Sequence, residues 1–390
     1  MSFPKRLGLL SLTGALLLAC AESPFLNRAK AREAERRETR STMAEILGAL
    51  RVALPLSLSN ERFTDPANHE TLQIALETLA ENAGSLEAHG RSRDASFQYL
   101  SRSLAEDSRA VQRRFEEERH AEARFLLGQL TEDCVACHAR LPSPEASSLG
   151  RVLLREVDLA RLAPEERVRL EVATRQFDTA LVSYEQILRS PSTNPARVDL
   201  EGLLTDYLVV VLRVRNDLPR ARHILKAFVS RDDLPRYLDR NVRAWIDDLA
   251  ELERAPDRRS PLERARGLSE EAQRRSSFPA DRTVLIYDLV ASGILYRYVN
   301  ENREASPDLA EAYYLLGVSE ARIRRSFWVS ESEFYLETAI RMAPRASFAP
   351  LAYALLEEET LAGYSGSSGL HLPADVLGNL EELRELVEQP

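Results

Sequence analysis

Apolar residues recur three and four positions apart through most of this 390-residue chain, the spacing that places them on one face of an α-helix. The first such stretch runs from about Asn27 to Leu54. A second begins near Pro66 and ends at the turn 89–94, where Asp94 is a plausible N-cap for the next helix. The apolar stripe of the first stretch consists of Met43, Ile46, Leu47, Leu50 and Leu54. The pattern predicts two amphipathic helices.

Helical periodicity continues over residues 95–141, but a single helix of that length would measure ~70 Å, too long for one domain. We therefore predict a break at 116–120, with Asp107 as an alternative cap. The stretch then supplies a third and a fourth helix, and the fourth ends in the sequence TEDCVACHARLPS, residues 131–143.

A proline- and serine-rich linker at 141–150 precedes helices of another kind. Several segments space small and aromatic residues much as tetratricopeptide repeats do, and so resemble that repeat. The matching positions are Ala180, Tyr184, Pro191, Tyr313, Leu316, Gly317, Ala339 and Pro344. The resemblance implies helix pairs that stack into a solenoid with a groove for a protein or peptide. Irregular helical hairpins without true repeat geometry are the alternative.

Valine and isoleucine never gather into alternating runs, so the chain is predicted to be all-α, without a sheet. Residues 252–280 are rich in charged residues and contain several prolines, which indicates a helix between two flexible segments. The glycine- and serine-rich segment 363–373 is predicted to be a loop, because it lacks the Lys-Ser/Thr of a phosphate loop. A last helix is predicted at about Ala374–Leu386.

The composition, 44% hydrophobic and 29% charged, is typical of a globular protein. The formal net charge is −9, and an acidic surface repels nucleic acid. We therefore expect no nucleic-acid partner. No carboxylate pair, Ser-His-Asp arrangement or His-Glu-x-x-His run stands out, so the sequence does not indicate an enzyme.

The first residues have the pattern of a secretory signal. Lys5 and Arg6 precede the apolar run Leu7 to Leu18, which is too short to span a membrane. The ending LLAC, at Leu17–Cys20, resembles the bacterial lipobox. That resemblance implies that Cys20 becomes the lipidated first residue of an exported protein, and Ala21 would favour the outer membrane. An ordinary signal sequence, with Cys20 near its cleavage site by chance, is the alternative.

Cys134, Cys137 and His138 form the Cys-x-x-Cys-His signature of c-type haem attachment. One helical turn would bring both thiols to the two vinyl groups at one edge of a porphyrin, while the imidazole of His138 meets the iron as the proximal axial ligand. In bacteria such haems are attached outside the cytoplasm, so the motif and the signal sequence support each other. We predict one covalent haem c.

Three alternatives remain for this cysteine pair. A thioredoxin-like dithiol would need a strand–helix junction, and a structural zinc ion would need four ligands, for example with His120. A disulfide between residues only three apart in one helix would be strained.

Four helices with the motif near the end of the last one resemble cytochrome c′ and related class II cytochromes c, which are up-and-down bundles. The resemblance covers about residues 27–145. In that family an aromatic–arginine pair commonly lies three and four residues beyond the histidine, whereas Leu141 and Pro142 occupy those positions here and the arginine is Arg140. The sequence departs from the family pattern here, and Arg140 does not occupy the position of the family's arginine.

The sixth position of the iron would face the start of the first helix, because the first and last helices of such a bundle are neighbours. Met43 lies there, and class II relatives with a six-coordinate iron carry methionine at about this place. The resemblance therefore implies Met43 as the distal ligand; an adaptable core residue is the alternative. His69, His89 and His120 are expected to be solvated, and His223 and His371 belong to the second half.

The predicted organisation has five parts: a lipoprotein signal (1–19), a tether (20–26), a haem bundle (27–145), a linker (146–164) and a repeat-like helical domain (165–390). The predicted function is single-electron transfer in the bacterial periplasm, with a lipid anchor in the membrane and a redox or assembly protein docked on the helical repeats. A gas-binding or sensing protein with an open sixth site, and an assembly protein with a structural haem, are the alternatives.

Overall fold

A computed structural model describes residues 24–90, 93–140, 147–191, 193–195, 197–254, 258–277, 281–323, 331–367 and 369–388. Within these residues the chain is almost entirely helical, so the all-α prediction is confirmed. The predicted signal sequence, Cys20 and the family positions Leu141 and Pro142 lie outside the described residues. No described helix combines the length and apolar composition needed to cross a membrane.

Seventeen α-helices are described. They are α1 (Pro24–Ser57), α2 (Asn60–Phe63), α3 (Pro66–Gly90), α4 (Ala95–Glu116), α5 (His120–Arg140), α6 (Ser148–Glu156), α7 (Pro164–Ala173), α8 (Phe177–Arg189), α9 (Leu200–Leu208), α10 (Leu218–Phe228), α11 (Arg236–Arg254), α12 (Pro261–Arg275), α13 (Leu285–Glu301), α14 (Pro307–Ile323), α15 (Glu331–Met342), α16 (Ala349–Gly363) and α17 (Ala374–Glu388). A π-helical turn, Val209–Val214, continues α9. The described residues divide after Ser41: the helical residues 24–41 belong to one unit, and the described residues from Thr42 onwards form a second, compact one.

One detail of the all-α prediction is wrong. The segment predicted as a loop contains two short antiparallel strands, β1 (Ser365–Gly366) and β2 (Gly369–Leu370). Gly369 begins the second strand opposite Gly366, and its φ of +105° is accessible to glycine at little cost. His371 closes the hairpin by donating its backbone N–H to Tyr364 O, at 3.2 Å. Two exposed strands of two residues each are too short to show the alternation of apolar and polar residues by which strands are recognised in a sequence.

The break predicted at 116–120 is confirmed, and Asp107 lies inside α4 instead of capping a helix. Glu118 adopts a φ of +59° between the two helices, which ends α4 and reverses the chain. Asp94 caps α4 as predicted, because its carboxylate accepts the backbone N–H of Phe97 at 3.0 Å.

The first hydrophobic core joins the second half of α1 to α3, α4 and α5. Its fully buried members come from each of these helices and include Ile46, Leu72, Val111 and Leu127. Three residues C-terminal to α5 complete it: Leu153, Val157 and Leu170. The predicted linker 146–164 therefore holds a packed helix, α6.

Helix α5 has a second buried face. Val135 and Ala139 belong to a larger hydrophobic core that runs through α7–α15, whereas Leu127 and Leu130 belong to the first core. The helix that carries the two cysteines therefore lies between two sets of helices and contacts both α4 and α7. In the C-terminal part, most helices pack against their neighbours in sequence, from α12 to α16 in particular.

Candidate functional site

Met43, Cys134, Cys137 and His138 line one pocket, so the tertiary structure brings all four predicted haem-site residues together. Cys134 and Cys137 are one helical turn apart on α5 and share a face. The cavity has a volume of about 20 Å³, room for about one water molecule and far below the ~300–1,000 Å³ typical of ligand sites. The remaining lining residues are Leu86, Phe97, Leu100, Ser101, Leu104 and Asp133.

Both cysteines are free thiols and half-buried. Burial raises the pKa of each thiol to about 12. The nearby Asp133 carboxyl acts in the same direction on Cys134, whereas the Arg140 guanidinium partly opposes the rise at Cys137. At neutral pH both side chains are therefore protonated thiols that face an apolar pocket.

The His138 imidazole is neutral, and its tautomer follows from its hydrogen bond. Nδ1 lies 2.7 Å from the backbone oxygen of Ala173, and because a carbonyl oxygen only accepts, Nδ1 must carry the proton. Burial lowers the pKa of His138 to about 4, and the positive charge of Arg175 adds to this effect. Nε2 is consequently unprotonated and has a lone pair available for a metal.

Met43 lies on α1 and is half-buried against the first core. Its thioether belongs to the same pocket as His138, although 95 residues separate the two in the chain. Lining the same pocket is compatible with the predicted distal ligand and equally with an apolar wall of the pocket.

Asp133 is a buried carboxyl that the sequence analysis missed. Its side chain lines the pocket, and Oδ1 accepts the Ser103 hydroxyl at 3.1 Å. Burial raises the pKa of Asp133 to about 8, and the nearby Asp107 carboxylate adds to the rise. The only sequence signal was a polar residue at a position that faces inward on α5.

We expect Asp133→Asn to flatten the pH dependence of stability between about pH 4 and pH 8. In that window the folded protein keeps a proton on Asp133 that the unfolded chain has lost, so the free energy of unfolding falls as pH rises, by at most ~1.4 kcal/mol per pH unit. Asparagine does not titrate, which removes this contribution. Urea denaturation of both proteins at several pH values measures it; parallel curves would contradict the assignment.

Arg140 lies at the end of α5 in a cluster of buried charges. Its guanidinium forms ion pairs with Glu331 and, at 3.9 Å, with Glu320, and its Nε donates to the Tyr296 hydroxyl at 3.0 Å. Glu331 Oε1 forms the ion pair with Arg140. Its other oxygen, Oε2, accepts hydrogen bonds from the Tyr296 and Tyr335 hydroxyls.

A second arginine completes this cluster. Arg213, in the π-helical turn, donates to Glu320 at 2.6 Å and to the Ser292 hydroxyl at 2.8 Å. Two arginines and two glutamates thus balance each other inside the protein. The cluster joins the haem-motif helix α5 to α13, α14 and α15, so Arg140 has partners of its own within the chain.

Of the three histidines expected to be solvated, His69 and His89 are exposed. His223 and His371, for which the sequence made no such prediction, are exposed as well. His120 is half-buried, so the expectation that it is solvated is wrong. It packs on the rings of Phe63 and Phe115, because it begins a helix whose first turn closes the end of the first core.

No family model, no curated protein and no solved structure matches this chain. Among the residues that the structure describes, no three His, Cys, Asp or Glu side chains converge in the way a metal ion requires. The function must therefore be inferred from the chemistry of the Cys134–His138 segment and of the pocket beside it.

Proposed function

We propose that this chain is a monohaem c-type cytochrome that transfers single electrons, with haem c bound covalently through Cys134 and Cys137 and its iron bound by His138. The observation that carries the proposal is the state of His138. It is neutral, its Nδ1 proton is donated to Ala173, and its remaining lone pair adjoins two free thiols on one helical face. These are the requirements of an axial ligand next to a thioether attachment.

The lining residues suit a haem by their chemistry, and the cavity of about 20 Å³ would have to open to admit a porphyrin. Leu86, Phe97 and Leu100 offer an apolar surface to a porphyrin, and two thiols on one helical turn match the two vinyl groups at a single porphyrin edge. Bound haem would supply a reversible one-electron couple. The protein's own contribution is to exclude water with the apolar side chains and to orient the imidazole, and both affect the reduction potential.

The thiol pKa values favour attachment over redox chemistry of the thiols themselves. A reactive dithiol requires a cysteine whose pKa is lowered by a helix N-terminus or by cations. Here burial raises the pKa of both thiols to about 12, and the pair lies in the last two turns of α5. This environment suits cysteines that become thioethers once and remain so.

Met43→Ala tests the sixth position of the iron. If Met43 is the distal ligand, the wild-type protein should have a sharp low-spin spectrum that carbon monoxide does not change. The variant should become high-spin, bind carbon monoxide rapidly and have a lower reduction potential, because a His/Met pair raises the potential. Absorption spectra of the oxidised, reduced and carbon monoxide-treated proteins provide the measurement.

Leu47→Ala is a matched control, because Leu47 lies one turn further along α1 and packs on the same core without lining the pocket. It should keep the wild-type spectrum. A wild-type protein that already binds carbon monoxide would remove Met43 from the coordination sphere. It would also favour the gas-binding alternative, in which the apolar pocket wall admits a small diatomic ligand.

We also propose that the protein is exported, is anchored through a lipid on Cys20 and faces the bacterial periplasm from the outer membrane. The support is the sequence pattern of Lys5, Arg6 and the apolar run that ends at Cys20. It agrees with the attachment of c-type haem outside the cytoplasm. The intact mass of the mature protein tests this proposal together with haem attachment.

The helices beyond α6 are proposed to form a repeat-like solenoid that docks a redox or assembly protein. Ala180 and Ala339 are fully buried, and a side chain at Gly317 would come within 2.7 Å of Leu336 on α15, so small residues allow close helix packing there. Photocross-linkers at the exposed positions Val182 and Tyr237 test the docking, with exposed Ile74 on α3 as the comparison. Cross-links from Ile74 alone would contradict it.

A further inference from the structure

His138 is held by a helix that lies outside the four helices of the predicted haem bundle. Its hydrogen-bond acceptor, Ala173, is the last residue of α7. The last four carbonyl groups of an α-helix have no partner within the helix, and they lie at the negative end of its dipole. The end of α7 is therefore a strong acceptor for the imidazole N–H.

The turn after α7 orients this carbonyl group. Arg175 adopts a φ of +60°, and its backbone N–H donates to Val172 O at 2.8 Å. The Gln176 backbone N–H donates to Glu171 O, also at 2.8 Å. These two bonds engage the carbonyls of the two residues before Ala173, while the Ala173 oxygen meets His138.

Helix α6 fixes the position of the turn. A side chain at Gly150 would approach the Thr174 carbonyl oxygen to 2.3 Å, so the two backbones are in direct contact. The Gln176 amide donates to Thr174 O at 3.0 Å and to Ser147 O at 2.8 Å, which ties the turn to the N-cap of α6. These contacts hold the turn that carries the Ala173 carbonyl against the start of α6. We call the start of α6 and residues 173–176 together the bracket.

We propose that this bracket, composed of the start of α6 and residues 173–176, is the positioning element for His138. It keeps the imidazole in the Nδ1–H tautomer, with Nε2 ready to bind iron. Its effect on the iron rests on the proposed function, whereas the tautomer does not. With a metal on Nε2, the donated Nδ1–H makes the imidazole a stronger ligand, which stabilises ferric iron and lowers the reduction potential. The helices beyond the bundle would in this way help to set the potential.

Two substitutions in the full-length protein disturb the bracket without touching the pocket. Gly150→Ala pushes the turn away, and Gln176→Ala releases it from Ser147. Removing the hydrogen-bond partner of a metal-bound histidine typically lowers metal affinity or activity by about 10- to 100-fold. We expect the equilibrium constant for reduction to rise about tenfold in each variant, an upward shift of ~59 mV for a one-electron couple. Gly128→Ala is the matched control, because a side chain at Gly128 on α5 would contact nothing within 4 Å.

A second measurement does not need haem. In the full-length chain labelled with ¹⁵N-histidine and produced without haem attachment, NMR should find His138 neutral at pH 7, in the Nδ1–H tautomer and protected from proton exchange. Gly150→Ala and Gln176→Ala should lose that protection. The inference is overturned by an Nε2–H tautomer in the wild type, or by variants that match it in both exchange and potential. Correct NMR results from a protein that never acquires haem would support the bracket and overturn the proposed function instead.

Discussion

A variant with both Cys134→Ser and Cys137→Ser is expected to lose covalent haem completely. Each thioether forms between a cysteine sulfur and a vinyl carbon, and serine oxygen does not replace that sulfur in the attachment. Haem staining after denaturing electrophoresis should fall from a strong signal to none, and the intact mass should fall by one haem. Cells competent in cytochrome c maturation are the appropriate host for both proteins.

Cys20→Ser provides the matched control, because it is the same chemical change outside the motif. It should keep the haem while it loses the lipid mass and the membrane association, so one set of mass spectra reports on both cysteine sites. A wild-type protein without haem from a competent host would refute the proposed function, and a lipid-free wild type would refute only the anchor.

At a pH well above 7, Arg140→Ala is expected to destabilise the fold by about 3–5 kcal/mol, the cost of leaving a buried charge without its partner. Burial raises the pKa of Glu331 to about 7, so at lower pH the carboxyl takes up a proton and the loss is smaller. Arg140 is 5% exposed and Glu331 is 3% exposed, so water does not reach the carboxylate that remains. Glu320 keeps its bond to Arg213, so the loss falls mainly on Glu331. Chemical denaturation of the two proteins measures the difference.

A double variant separates charge from packing. Arg140→Leu combined with Glu331→Gln removes both charges and retains a hydrogen-bonding group for the Tyr335 hydroxyl, so it should recover most of the lost stability. Arg243→Ala, which removes an exposed arginine from its pair with Asp239, should change stability little. A double variant no more stable than Arg140→Ala alone would show that the cluster does not act through its charges.

The local pattern of the sequence determined much of this structure. Helical spacing predicted the all-α class, the start of α3 at Pro66, the break between α4 and α5 and the last helix, because these features depend on residues within one or two turns of each other. Asp94 was identifiable as a cap for the same reason. The Cys-x-x-Cys-His motif was readable because its chemistry depends on spacing within a single turn.

Contacts between distant segments were decided by the tertiary structure alone. The sequence placed Met43 near the motif only through a family resemblance, and it gave no sign that Ala173 accepts from His138 or that Arg140 meets Glu331. These pairs lie 35 and 191 residues apart in the chain. A backbone carbonyl has no sequence signature, and a charged residue that is neutralised in the interior looks in sequence like one on the surface. Only packing of α5 between two groups of helices determines which of its polar groups are buried, and therefore which of them need partners.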